Sequence, residues 1–190
     1  MFLDYFLEGL YHILDPNGYD HLVFLVALCV PYDIRYFKRV LFLATAFTIG
    51  HSVTLALAAF EVVLIRGSII EFLIPVTIFV TAMRTVIYPK RNERRNYLGY
   101  AAVLFFGLIH GMGFSTLLRM KLQSGQSIAE ALLAFNLGIE VGQLAIVAVF
   151  LLLTTWIQSL SGVRTREWIL GLSAACAGIA LVLIHENWPL

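Results

Sequence analysis

The chain has 190 residues, of which 60% are hydrophobic and only 13% are charged, and its formal net charge is +1. An average soluble domain is roughly a quarter charged, so this composition excludes a soluble globular enzyme and a disordered chain. The small net charge excludes a partner such as nucleic acid that is held by its negative charge. Because the length suits one domain, we expect residues 1–190 to form a single integral-membrane domain.

The chain begins with an amphipathic segment over residues 1–17. Apolar residues recur there at helical spacing, namely Phe2, Leu3, Phe6, Leu7 and Leu10. This pattern predicts a helix that lies in the membrane interface or dips into the protein. The segment has acidic residues and no Lys or Arg, so we expect no cleavable signal peptide. The turn-forming run DPNG at residues 15–18 ends the segment.

Six apolar segments follow, at about residues 19–30, 40–60, 68–88, 97–118, 128–157 and 168–184. All but the first are long enough, or nearly so, to cross a bilayer core of about 30 Å as helices. They are continuous runs without strand-like alternation, which favours helices over barrel strands. The sequence therefore predicts an all-α polytopic membrane protein, a bundle of about six transmembrane helices. The first of these is short or broken because it ends at Pro31.

Most of the basic residues lie in alternate loops. Ten of the thirteen Lys and Arg residues fall after the first, third and fifth segments or at their ends, namely Arg35, Lys38, Arg39, Arg84, Lys90, Arg91, Arg94, Arg95, Arg164 and Arg166. Cytoplasmic loops carry an excess of Lys and Arg. We therefore expect these loops to face the cytoplasm and both termini to be extracytoplasmic.

Four ionisable residues lie at a similar depth inside these segments: Asp20, His51, His110 and Glu140. Counted at 1.5 Å per residue, each lies about 16–20 Å from one end of its helix, near the middle of the membrane. A charged group there costs about 2.5 kcal/mol or more, which makes each residue a candidate for function. His21 adjoins Asp20, and His12 precedes the same layer.

Polar residues and glycines accompany this layer. Thr48 and Ser52 share a helix face with His51, while Asn136 and Gln143 share one with Glu140. We expect these four to support the ionisable groups. Two GxxxG motifs, at residues 107–111 and 138–142, allow helices to approach closely. Together these features predict one site lined by Asp20, His21, His51, His110 and Glu140.

Imidazole and carboxylate ligands suit a divalent ion such as Ni²⁺, Co²⁺ or Zn²⁺. Each residue also has a simpler interpretation. A single intramembrane His is often a hydrogen-bonded core residue, Asp20 could be only a helix N-cap, and His12 alone reads as a surface residue of an interfacial helix. The shared depth of the set is harder to explain in this way.

Four stretches carry a family resemblance: HIL…GYDHLVFL around His12, Asp20 and His21, FTIGHSVTL around His51, FGLIHGMGF around His110, and FNLGIEVGQL around Glu140. Together they resemble the HupE/UreJ family of bacterial membrane proteins. The resemblance implies a six-helix permease of the bacterial cytoplasmic (inner) membrane, linked to nickel or cobalt supply for hydrogenase and urease. It further implies that His12, Asp20 and His21 carry the metal.

Two departures from the nickel-type pattern leave the ion open. His12 and Asp20 are farther apart, and Phe106 and Gly113 replace a second His and a Glu. We expect a transporter of a divalent transition metal. One alternative is an intramembrane metal-dependent hydrolase with Glu140 or Asp20 as the base. Another is an accessory membrane subunit whose polar layer only fixes helix packing. The lack of an HExxH motif favours transport.

Overall fold

The computed structural model describes residues 2–60, 62, 66–89, 97–121 and 127–189, and among these every side chain except those of residues 17 and 114–121. This part of the chain contains α-helices and two 3₁₀ turns but no strand. The helices are α1 (Phe2–Leu14), α2 (Asp20–Cys29), α3 (Phe37–Ala59), α4 (Gly67–Ile87), α5 (Tyr97–Lys121), α6 (Ile128–Ser161) and α7 (Thr165–Glu186). The prediction of an all-α polytopic membrane protein is confirmed.

Four helices are long and apolar enough to cross a membrane: α3 with its preceding turn, α4, α6 and α7. The short α2 and the first part of α5, Tyr97–Gly113, are also apolar. We call the end that holds Pro31, Arg39 and Arg84 the basic end, and the end that holds Glu71 and Asn187 the outer end. The basic loop at residues 90–95 lies outside the described residues, and the orientation of the bundle stays a prediction.

Helix α2 lies in the middle of the bundle. Seven of its ten residues are buried, and it contacts α1, α3, α4, α6 and α7. A helix that is apolar on all sides is typical of a protein core or a membrane span, and the buried residues of α2 place it in the core of the bundle. Its ten residues extend only about 15 Å, because the turn at residues 16–18 precedes it and Pro31 follows. The first residues of α2, Asp20 and His21, therefore lie inside the bundle.

Glycines bring α3 and α5 into backbone contact. A Cβ atom on Gly107 would overlap the carbonyl oxygen of Phe47, and one on Gly50 would overlap that of Leu104. A side chain at either position would force the helices apart. The GxxxG motif at residues 107–111 thus places His110 on α5 directly beside the turn of α3 that carries His51.

The N-terminal helix α1 docks against α6 in the same way. A Cβ atom on Gly9 would overlap the carbonyl oxygen of Phe135, and one on Gly138 would overlap that of Phe6. The close fit along α1 also buries Ile13, which is 1% exposed. Of the two placements that the sequence left open for this segment, dipping into the protein is the one observed. His12, at the end of α1, consequently faces the bundle.

Candidate metal centre

Asp20 and His21 form a hydrogen-bonded pair at the start of α2. The Asp20 carboxylate accepts from the backbone N–H of His21 at 2.8 Å, and its Oδ1 lies 3.0 Å from His21 Nδ1. If Nδ1 carries the proton, as a carboxylate partner favours, the lone pair of the ring lies on Nε2. His21 Nε2 is buried and has no hydrogen-bond partner among the described residues. His21 is therefore oriented as a ligand would be.

Thr77, at the centre of α4, orients His110. Its hydroxyl donates to the carbonyl oxygen of Ile74 at 2.7 Å and lies 3.1 Å from His110 Nε2. Because the single hydroxyl proton is directed at Ile74, the oxygen accepts from His110 Nε2–H. The lone pair of His110 is then on Nδ1, which is buried without a partner in the described part of the chain.

His12 and His51 complete a cluster around His21. The ring centroid of His12 is 4.7 Å from that of His21 and 6.1 Å from that of His51. His51 is fully buried, at 0% exposure. Its nitrogens make no hydrogen bond of standard geometry to the described residues, although Asn136 lies close enough to interact with the ring. The interpretation of His12 as a surface residue is therefore wrong, because α1 docks into the bundle.

Two groups of potential ligand atoms share His21, and within each group the atoms lie within 4.8 Å of one another. One group consists of His12, His21 and His51, and the other of Asp20, His21 and His110. We call these five residues the His/Asp cluster. It supplies up to four imidazole nitrogens and one carboxylate, a donor set that suits borderline divalent ions.

Glu140 is placed differently from the prediction. Its Oε1 accepts a hydrogen bond of 2.6 Å from the Thr45 hydroxyl, and it belongs to neither group of potential ligands found among the described residues. Residue counts predict only the depth of Glu140 along its helix. Its side chain meets α3 at Thr45, about two turns from His51 towards the basic end. The carboxylate charge at the cluster thus comes from Asp20.

The four expected supporting residues have separate roles. Thr48 donates to the side-chain oxygen of Gln143 at 3.0 Å, which joins α3 to α6 one turn from the Thr45–Glu140 bond. Ser52 donates to the carbonyl oxygen of Thr48 at 2.7 Å, within its own helix. Asn136 alone of the four interacts with a histidine of the cluster in the contacts described.

A cavity reaches the cluster from the outer end. It has a volume of about 180 Å³ and is lined by Asp20, Glu71, Ile74 and Asn187 among others. The Asp20 side chain is 27% exposed, whereas that of His21 is 6% exposed. Asp20 is therefore the member of the pair that connects the buried imidazoles with the cavity, and Glu71 adds a second carboxylate to its wall.

Three phenylalanines close the opposite side of the cluster. Phe24, Phe47 and Phe106 each lie about one helical turn from a cluster histidine, towards the basic end. The ring of Phe47 is 4.9 Å from that of His110, and Phe24 is 4.8 Å from Phe47 and 6.3 Å from Phe106. We call these residues the aromatic layer. It separates the cluster from a second cavity, at the basic end, whose wall includes Phe106.

Sequence reasoning missed Thr77 and the aromatic layer. Thr77 carries no charge, so a search for ionisable groups passes over it. The sequence does contain a pattern for two members of the aromatic layer, since FTIGH and FGLIH both have the form Phe-x-x-x-His. That spacing puts Phe and His one turn apart on the same helix face.

One comparison with known proteins gives a match. The family described as HupE / UreJ protein matches residues 1–188, nearly the whole chain. Comparisons with curated proteins and with solved structures found no match.

Proposed function

The chain belongs to the HupE/UreJ family, and we propose that it carries a divalent transition-metal ion across the membrane through the His/Asp cluster. Nickel and cobalt are the ions that the family suggests, and zinc fits the same donor set. The expected membrane is the bacterial cytoplasmic membrane. The ion is the cargo of the protein, so it has to bind and then leave.

The supporting observation is that buried imidazole nitrogens converge without hydrogen-bond partners. His21 Nε2 and His110 Nδ1 are of this kind among the described residues, and the nitrogens of His51 make no hydrogen bond of standard geometry there. Buried polar atoms are nearly always hydrogen-bonded, since an unsatisfied one costs about 1–3 kcal/mol. A cation that accepts these lone pairs removes that cost, and the Asp20 carboxylate offsets part of its charge.

The two sides of the cluster suggest a direction of access. On the outer side, the cavity with Asp20 and Glu71 offers negative charge to an arriving cation. On the other side, the aromatic layer closes the path, with Phe47 and Phe24 in contact with the His110 ring. This conformation suits loading from the outer end, and release would require the aromatic side chains to move.

The contacts favour transport over the two alternatives. A hydrolase needs a base beside the ion, yet Glu140 is bonded to Thr45 and Asp20 to His21. A polar layer that only fixed helix packing would have its ring nitrogens bonded to neighbouring helices. His110 Nε2 has such an interhelical bond, to Thr77, but His21 Nε2 and His110 Nδ1 have no hydrogen-bond partner among the described residues.

Uptake into proteoliposomes tests this function. Vesicles that enclose a metal-sensitive dye would receive Ni²⁺, Co²⁺, Zn²⁺ or Mg²⁺ outside. We expect uptake of at least one of the first three ions but not of Mg²⁺, and a loss of about tenfold or more in His51→Ala. His185→Ala is the matched control, because His185 is exposed near the end of α7. Equal uptake by His51→Ala and the parent protein would refute the proposal.

A further inference from the structure

Four polar side chains join α3 to α6 at the middle of the bundle. Thr45 donates to Glu140 Oε1 at 2.6 Å, and Thr48 donates to Gln143 Oε1 at 3.0 Å. The two members on each helix are three residues apart, so they share one helix face. Thr45 and Thr48 flank the centre of the 26-residue span Ile34–Ala59. We call these four residues the α3–α6 quartet.

The Glu140 carboxylate carries a charge that these contacts do not balance. Its second oxygen, Oε2, is buried and has no hydrogen-bond partner among the described residues. No ion pair between Glu140 and a Lys, Arg or His is found in that part of the chain. A bare carboxylate near the bilayer centre is costly, and such groups face partners or mark ion pathways. A proton or a metal cation is therefore needed to neutralise it.

A metal cation suits the quartet better than a proton does. Because Oε1 already accepts from Thr45, a proton would be on Oε2, where the described residues offer no acceptor for the O–H group. A cation instead uses the lone pairs of Oε2 and those that remain on the two hydroxyl oxygens and on Gln143 Oε1. Oxygen ligands of this kind suit hard cations, and one carboxylate balances one positive charge.

We propose that the α3–α6 quartet binds one Na⁺ ion, separately from the transition metal in the His/Asp cluster. The quartet offers only oxygen ligands, whereas the cluster offers mainly imidazole. Helix packing alone explains the two threonine bonds, but a glutamine at position 140 would accept from Thr45 without burying a charge. The ion neutralises Glu140 and holds α3 against α6 one turn from His51, near the midplane, where secondary transporters bind their coupling ions.

Equilibrium binding of radiolabelled Na⁺ to the purified full chain, in a choline buffer without other Na⁺, tests the proposal. We expect one saturable site per chain. Glu140→Gln removes the charge of the site and should weaken Na⁺ binding by about 30-fold or more. Glu130→Gln is the matched control, because it makes the same change at an exposed position in the first turn of the same helix, and it should bind Na⁺ as the parent does.

Variants of Thr45 test the neutral ligands and keep the proposal open to refutation if Glu140→Gln fails to fold. Thr45→Val removes the hydroxyl oxygen and should weaken Na⁺ binding, whereas Thr45→Ser keeps this oxygen and should retain it. Equal Na⁺ affinities in these two variants would count against the site.

Three further results would overturn the proposal: no saturable Na⁺ binding by the parent, equal affinities in Glu140→Gln and Glu130→Gln, or displacement of Na⁺ by equimolar Co²⁺ in His21→Ala. The last would mean that the quartet takes the transported ion. The Co²⁺ affinity of Glu140→Gln should stay close to that of the parent, so failure of this proposal is distinguishable from failure of the transport proposal.

Discussion

Replacing Thr77 by Val tests how the bundle prepares His110 for a metal ion. Valine keeps the shape of threonine but removes the hydroxyl that accepts from His110 Nε2–H at 3.1 Å. Without it, the Nε2 proton is left buried and unbonded. The ring can then turn or adopt the other tautomer, which would put the proton on Nδ1, the nitrogen available to the cluster.

The Thr77–His110 hydrogen bond sets the expected losses of stability and of metal affinity in Thr77→Val. A hydrogen bond of this kind contributes about 0.5–1.5 kcal/mol to stability, so Thr77→Val should fold. Removing the partner that orients a metal-binding histidine typically weakens metal affinity by about 10–100-fold. We therefore expect a loss of Co²⁺ or Ni²⁺ affinity in this range, while Thr77→Ser should retain most of the affinity because it keeps the hydroxyl.

Metal affinity would be measured by competition with a chelator, and the His110 tautomer by ¹⁵N NMR of the imidazoles. Thr85→Val is the matched control, because Thr85 is also buried on α4 but donates only to the carbonyl oxygen of Thr81 in the described bonds. Parental affinity in Thr77→Val, or an equal loss in Thr85→Val, would refute the reasoning.

Three further variants test the cluster and its scaffold. Asp20→Asn should abolish metal binding because it removes the charge that offsets the ion. Glu140→Gln should bind metal nearly normally, since an amide oxygen can still accept from Thr45. Equal metal titration curves for the two variants would contradict the assignment of the cluster carboxylate to Asp20. His12→Ala should lose as much metal affinity as His21→Ala or His51→Ala. A parental dissociation constant in His12→Ala would show that His12 is not a ligand. Gly107→Ala should destabilise the protein by about 1–3 kcal/mol through overpacking, while Gly171→Ala, where nothing lies within 4 Å of the added atom, should leave the unfolding temperature unchanged or higher.

The fold class and much of the cluster followed from the sequence for a simple reason. Apolar runs and the rise per residue determine where a side chain lies along the membrane normal. Asp20, His51 and His110 were predicted at one depth on this basis, and the structure brings the last two together with His21 and Asp20. The GxxxG motif at residues 107–111 correctly indicated a close helix approach beside His110, and the structure shows that the partner helix is α3.

The parts of the site that the sequence did not predict depend on which helices face each other, and residue counts do not contain that information. Glu140 has a suitable depth but reaches Thr45 rather than a histidine. His12 looked interfacial because its helix is amphipathic, yet Gly9 and Gly138 allow α1 to enter the bundle. Thr77 matters only through one bond between α4 and α5, which no local pattern reveals.

X-ray absorption spectroscopy of the metal-loaded protein tests most directly whether the His/Asp cluster holds the ion. With one equivalent of Co²⁺ or Ni²⁺, we expect at least three histidine nitrogens around the metal, at about 2.0–2.1 Å. In His21→Ala this imidazole signal should disappear or fall sharply, because His21 belongs to both ligand groups. A first shell of oxygen alone, or an unchanged imidazole signal in His21→Ala, would contradict the account.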